Sequence, residues 1–198
     1  EARRILGIPE KYKYFILSYG GSMGAEKVNE AILKVMKNVT GGRSGIYHTH
    51  ATGAIEKEIC FGAFSEMGLE KHENLQLLEY IYDMPTVMAA ADVVISRAGA
   101  STCNEIAASG TPCVLIPSPN VTDNHQEKNA RALSDRGGAV LLLEKDATPE
   151  KLLQLILDLL ADKERYSNMR SVLQSISVPD SAERLCDIME DLAKKNAR

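Results

Sequence analysis

The sequence lacks any apolar run approaching the roughly 20 residues that a bilayer-spanning helix needs. No charged-then-apolar signal segment opens it either, so the chain itself reads as soluble. Basic clusters are also absent: 27 acidic against 23 basic residues leave a formal charge of -4. A nucleic-acid partner would need lysine and arginine focused on one face to replace phosphate counterions, so that partner class is not expected. Cys60, Cys103, Cys113 and Cys186 lie far apart with no C-x-x-C pair, which argues against a zinc site and a secreted disulfide framework and fits reduced thiols in a cytosol. Internal repeats and low-complexity tracts are missing, and 198 residues at 44% hydrophobic suit one domain with a single core.

What is present is alternation. Short β-type runs at Tyr14–Tyr19, Gly45–His50, Leu75–Tyr80, Asp92–Ser96, Pro112–Pro117 and Ala139–Glu144 are separated by segments of helical period. Val28, Ile32, Val35 and Val39 recur at spacings of three and four over Glu26–Val39; Ile55, Ile59 and Phe64 mark a second helix. Further helices are expected up to Ala91, from an opening at Arg97–Thr102 to Gly110, from His125 to Gly137-Gly138, and from Pro149, Lys163 and Ser181. Ser175–Asp180 reads as a linker, and Leu185, Ile188, Met189 and Leu192 mark one face of the last helix. Glu1–Gly7 reads as a helix already under way, which predicts a longer parent protein. Six strands with crossover-length connections predict an α/β, Rossmann-like parallel sheet with helices on both faces. Ligands of such sheets collect outside the carboxyl ends of the strands, where the glycine-, serine- and histidine-rich turns fall.

Gly20-Gly-Ser-Met-Gly24 follows a strand and opens a helix, so backbone N–H groups around Gly21, Ser22, Met23 and Gly24 are placed to meet a phosphate. A tight ligand-free turn is the plainer alternative, since neither G-x-G-x-x-G nor a P-loop is present. Gly99–Glu105 repeats the arrangement, with Ala100, Ser101 and Thr102 offering N–H groups to a second phosphate. Glu105 has two readings. Its carboxylate suits the two hydroxyls of a ribose, but Thr102-Cys-Asn-Glu105 also matches a capping box, and spacing alone favours the cap. Gln126, in Asp123–Glu127, carries a donor and an acceptor suited to sugar hydroxyls, next to His125; a simple helix cap is the rival. His48 and His50 share a face of one strand without a third metal ligand in view. Tyr80, Tyr82 and the methionines are expected to pack.

Together, Gly20–Ala25, His50–Gly53, Glu79–Met84, Ala91–Ala100, Asn104–Gly110 and Asp123–Ala130 resemble the carboxyl-terminal domain of the MurG glycosyltransferases over nearly the whole chain. The resemblance implies the second half of a GT-B architecture that binds UDP-N-acetylglucosamine, with residues 1–198 as a single donor domain and an amino-terminal acceptor domain outside this chain. It implies Ser22 and its glycines beside the diphosphate, the Ile81 backbone at the uracil edge, Ala100, Ser101 and Thr102 along diphosphate and sugar, Glu105 on the ribose and Gln126 on N-acetylglucosamine. His125 stands where many relatives carry a second glutamine. The arginine of the family's Asn-Pro-Val-Arg segment would lie upstream of Glu1.

The implied reaction is transfer of N-acetylglucosamine to lipid I, giving lipid II for peptidoglycan, with inversion and UDP leaving. No D-x-D metal motif occurs and no cofactor is expected. The whole protein would work peripherally on the cytoplasmic face of the bacterial plasma membrane, and this chain alone would not turn over. A related lipid glycosyltransferase with another acceptor, or a non-catalytic nucleotide-binding module, remains open, with a UDP-sugar epimerase behind them.

Overall fold

A computed structural model describes residues 1–40, 42–43 and 45–196. Strands β1 (Tyr14–Tyr19), β2 (Ile46–Ala51), β3 (Leu75–Leu78), β4 (Val93–Ser96), β5 (Cys113–Leu115) and β6 (Val140–Leu141) form one parallel sheet in the order β3-β2-β1-β4-β5-β6. The expected Rossmann-like fold is therefore present. Every residue of β4 is buried, as a strand covered on both faces must be.

The helices are α1 (Ala2–Ile5), α2 (Glu26–Val35), α3 (Lys57–Glu66), α4 (Met84–Ala90), α5 (Ala100–Ser109), α6 (His125–Ser134), α7 (Pro149–Ala161), α8 (Lys163–Ile176) and α9 (Ser181–Asn196). Helices α2, α3 and α7 pack together on one side of the sheet; α1, α4, α5 and α8 lie on the other. Local chemistry sets their ends. Asp83, Thr148 and Asp162 accept hydrogen bonds from the N–H groups of Thr86, Lys151 and Arg165 at 3.2, 3.3 and 2.9 Å. Gly110 closes α5 in the left-handed conformation, φ +64°. Arg3 ties α1 down by donating to the carbonyls of Ala90 and Lys13 and pairing with Asp92.

Several expected boundaries move. Helix α2 stops at Val35 and continues as a π-helical turn, Met36–Thr40, which turns the buried Thr40 toward β2; the side chain of Val39 lies outside the described residues. The β6 run keeps only two residues, because Glu144 leaves the sheet to pair with Arg97. In α3 the buried face is Cys60 and Phe64, while Ile55 and Ile59 are 65% and 68% exposed. Ile55 sits in the preceding turn, where Ala54 and Ile55 donate to the carbonyls of Ser22 and Met23. Helix α8 runs through Ile176, which shortens the linker to residues 177–180. The apolar face of α9 is unpacked, with Leu185, Ile188, Met189 and Leu192 between 54% and 62% exposed. Among the described residues no helix is long and apolar enough to cross a membrane.

Candidate functional site

Strand order reverses between β1 and β4, and the turns that leave those two strands face each other across the crevice this opens. A cavity of about 380 Å³ lies there. Gly20, Gly21 and Ser22 form one wall, Gly99, Ser101, Thr102 and Glu105 the opposite one, and Tyr80, Ile81 and Met84 close a side. Arg97, Gln126 and Tyr19 also line it.

The first wall is a turn that only glycine permits. Gly21 has φ +95° and open space where a Cβ would stand, so the backbone is bare on the cavity side. Gly24, φ +92°, seats against the Thr52 carbonyl, and Gly53, φ +79°, seats against Gly24; a Cβ on either would come within 2.4 Å or 2.1 Å of backbone. Among the described residues no intramolecular hydrogen bond uses the N–H of Gly21, Ser22 or Met23. Of these, Gly21 and Ser22 line the cavity.

The second wall is the first turn of α5. Its N-cap is Gly99, without a capping side chain, and Cys103 N–H returns to the Gly99 carbonyl, which leaves the N–H groups of Ala100, Ser101 and Thr102 free, as at any helix start. This corrects the capping-box reading of Glu105. The helix begins three residues earlier than that reading needs, Thr102 lies inside it, and the Glu105 carboxylate is exposed with no hydrogen-bond partner among the described residues.

Other expected residues are distributed unevenly. Ile81 is buried at the cavity side, with no hydrogen bond on its main-chain N–H or C=O among the described residues. Gln126 accepts from the Ser118 N–H at 2.9 Å, so its Nε2 is the group left for a ligand. Before it, Asp123 and Asn124 take consecutive left-handed conformations, φ 53° and 51°, which their short polar side chains tolerate. Met23, Gly24, Ala100 and His125 do not reach the cavity wall. Met23 is 60% exposed, Gly24 is spent on packing, Ala100 faces a hollow between α5 and α6, and the His125 Nδ1–H donates to the Thr122 carbonyl at 3.0 Å.

Arg97 and Tyr19 are among the lining residues that the sequence did not single out. Arg97 pairs with Glu144 and donates to the carbonyls of Ile116 and Pro117, each at 3.2 Å, holding the ends of β4 and β5 together; its place directly after a strand and before Ala98-Gly99 was the available signal. Tyr19, the last residue of β1, is 5% exposed, and its hydroxyl has no hydrogen-bond partner. Burial, with Glu105 nearby, raises its phenol above the ordinary range. Tyr80 does line the cavity and meets Tyr82 edge-on at 5.1 Å, but Tyr82 is 94% exposed rather than packed.

The paired histidines serve the core. His48 and His50 are fully buried, and Ser18 Oγ stands 2.8 Å from His48 Nε2 and 2.9 Å from His50 Nδ1. Asn29 donates to the Thr52 carbonyl at 2.9 Å, so its Oδ1 must accept from His50 Nε2–H at 3.1 Å. That fixes His50 Nδ1 as the acceptor of the Ser18 hydroxyl, although the Ser18 carbonyl also lies 3.1 Å from it. Ser18 then accepts from His48 Nε2–H, and His48 Nδ1 accepts from Thr40 at 3.3 Å. Burial pushes His48 down to about 3 and His50 to about 4, so both are neutral near pH 7. Among the described residues no group of three His, Cys, Asp or Glu side chains is placed to hold a metal ion.

The sequence model described as the glycosyltransferase family 28 C-terminal domain matches residues 15–185. A protein of Acetivibrio thermocellus named UDP-N-acetylglucosamine--N-acetylmuramyl-(pentapeptide) pyrophosphoryl-undecaprenol N-acetylglucosamine transferase is 41% identical over 196 residues, covering 99% of this chain and 52% of that protein. The chain thus spans about half the length of the curated relatives it matches. The crystal structure of Acinetobacter baumannii MurG superposes with a TM-score of 0.75 at 29% identity, over 92% of this chain and 53% of that one. A putative UDP-N-acetylglucosamine 2-epimerase from Listeria monocytogenes, at 14% identity and a TM-score of 0.72 over 96% of this chain and 48% of that one, shares the fold.

Proposed function

The chain belongs to the glycosyltransferase family 28 C-terminal domains, and on that premise we propose that it is the donor-binding half of an enzyme that transfers N-acetylglucosamine from UDP-N-acetylglucosamine to lipid I. The observation that carries this reading is the pair of acceptor-free N–H turns facing each other across the switch-point cavity, with an unpaired carboxylate at Glu105 beside them.

In this reading the turn at Gly21 and Ser22 binds one phosphate and the start of α5, at Ser101 and Thr102, binds the other, with Met23, Gly24 and Ala100 shaping the two turns from behind. Two neutral donor clusters meet the diphosphate, and Arg97 in the lining is already paired with Glu144. Glu105 accepts both ribose hydroxyls, and the free N–H and C=O of Ile81 read the edge of uracil. Gln126 donates through Nε2 to the sugar, with His125 next to it at the mouth. The muramyl 4-hydroxyl of lipid I attacks the anomeric carbon from the face opposite the leaving group, so the configuration inverts. The bond to the diphosphate oxygen breaks, and the charge developing on UDP is met by the same N–H groups.

The acceptor site, the general base and the membrane-facing surface belong to an amino-terminal domain outside residues 1–198, through which the whole protein works on the cytoplasmic face of the plasma membrane. The purified chain therefore binds donor without making product. Ligand-observed NMR of the chain with UDP-N-acetylglucosamine, UDP-glucose, GDP-mannose and NAD tests the reading. Uridine-selective binding is expected, lost in Glu105→Ala; equal binding of all four, or of none, would sink it.

A further inference from the structure

The Tyr19 hydroxyl is the one buried side-chain polar atom left without a partner among the described residues. Such a group is costly to bury, and this one lies beside the cavity wall, where nothing in the packing requires a hydroxyl rather than a hydrogen. Two other hydroxyls, those of Ser96 and Thr102, lie close enough to draw its pKa back down, but neither is aligned for a full hydrogen bond. Ser96 spends its proton on the Arg97 carbonyl at 3.0 Å. Thr102 spends its proton on nothing. Its Oγ1 makes no hydrogen bond among the described residues and stands 3.8 Å from where a Cβ on Gly99 would be, so it points toward the mouth of α5.

We propose that Tyr19 is a positioning residue for the donor diphosphate, acting through Thr102. The proposal rests on the donor-site reading above. A phosphate oxygen at the start of α5 accepts from the Thr102 hydroxyl and draws that side chain into line with the end of β1. The Tyr19 O–H donates to that oxygen. The relay runs Tyr19 to Thr102 to phosphate, each hydroxyl donating once, with the phosphate as the final acceptor. Tyr19 stays fully protonated throughout, since burial disfavours the phenolate. The Tyr19 hydroxyl gains its aligned acceptor when ligand binds, so part of its burial cost is relieved by ligand and appears as affinity.

Tyr19→Phe removes the hydroxyl and keeps the ring. Calorimetric titration of the chain with UDP and with UDP-N-acetylglucosamine, beside thermal melts without ligand, separates this role from a structural one. The expected result is an unchanged or raised melting temperature together with an affinity loss of about three- to tenfold. In a Thr102→Val background Tyr19→Phe has no further effect on affinity, whereas in a Ser96→Ala background its full effect remains. A lowered melting temperature with unchanged affinity would overturn the proposal, as would an undiminished loss in Thr102→Val or an abolished one in Ser96→Ala. If the unaltered chain binds UDP and Tyr19→Phe binds it equally well, this proposal alone fails. If the unaltered chain binds no UDP, the donor-site reading fails with it.

Discussion

Ser18 and Tyr19 are neighbours on β1, and the pleat sends them to opposite faces of the sheet. Ser18 stands at the centre of a relay from Thr40 through His48, His50 and Asn29 to the Thr52 carbonyl, in which each donor has an acceptor. Tyr19, one residue on, has a hydroxyl with none. Both are polar side chains in a dry interior, but only the first closes its hydrogen bonds within the protein. A closed relay serves the fold, and an open one points toward whatever completes it. Burial alone does not separate structural from functional polar residues, whereas hydrogen-bond accounting does.

The contrast breaks most readily at Ser18. Ser18→Ala leaves His48 Nε2–H and His50 Nδ1 without partners and should cost about 2–5 kcal/mol of unfolding free energy in urea denaturation, with no change in UDP affinity beyond that loss. Acid attacks the same relay. Both histidines sit below their ordinary pKa of 6.5 in the folded protein, at about 3 and 4, so the unfolded chain binds more protons once the pH drops under 6.5. Stability is therefore full above about pH 7 and falls continuously through the histidine window toward pH 4, on the order of 3 kcal/mol by pH 5. Denaturation midpoints measured across that range check the sign; a flat profile between pH 7 and 5 would show that both histidines protonate in the folded chain as in the unfolded one, and half the slope that one of them does.

On the open side of the contrast, Glu105→Ala should weaken UDP by about 2–3 kcal/mol, or roughly 30- to 150-fold. Stability should change by no more than about 0.5 kcal/mol, because the carboxylate holds nothing within the protein. Equal losses of stability and affinity would return Glu105 to the helix. Ser22→Ala gives the smallest effect, about 1 kcal/mol of affinity for one hydroxyl donor, with the fold unmoved; titration beside the unaltered chain resolves it.

The same contrast explains what was legible in the sequence. The strand–turn–helix alternation placed the turns at Gly20–Gly24 and Gly99–Thr102 on one edge, since parallel connectivity alone fixes which strand ends share a side. Glu105 was ambiguous because a capping box is a pattern of spacing, and spacing does not reveal where the helix starts; Gly99 decides that through its backbone. The histidine alternation was visible, but its purpose depended on Asn29 from α2 meeting β2 at one register. The π-helical turn at Met36–Thr40 had no signal, because the apolar spacing of a helix continues through it. Tyr19 was silent for the opposite reason: an aromatic residue at the end of a strand looks like core until its hydroxyl is followed.

Gly24 and Gly53 meet back to back, with no room for a methyl group on either. The turn after β1 and the turn after β2 are therefore one mechanical piece, and neither can swing independently of the other. In amide hydrogen exchange the Gly24 N–H, which donates to the Gly21 carbonyl at 3.1 Å, should open only when both turns lift together. Any adjustment that admits a ligand must come from the opposite bank, at the start of α5 and the loop before Gln126. An insertion in either turn would have to be absorbed by both.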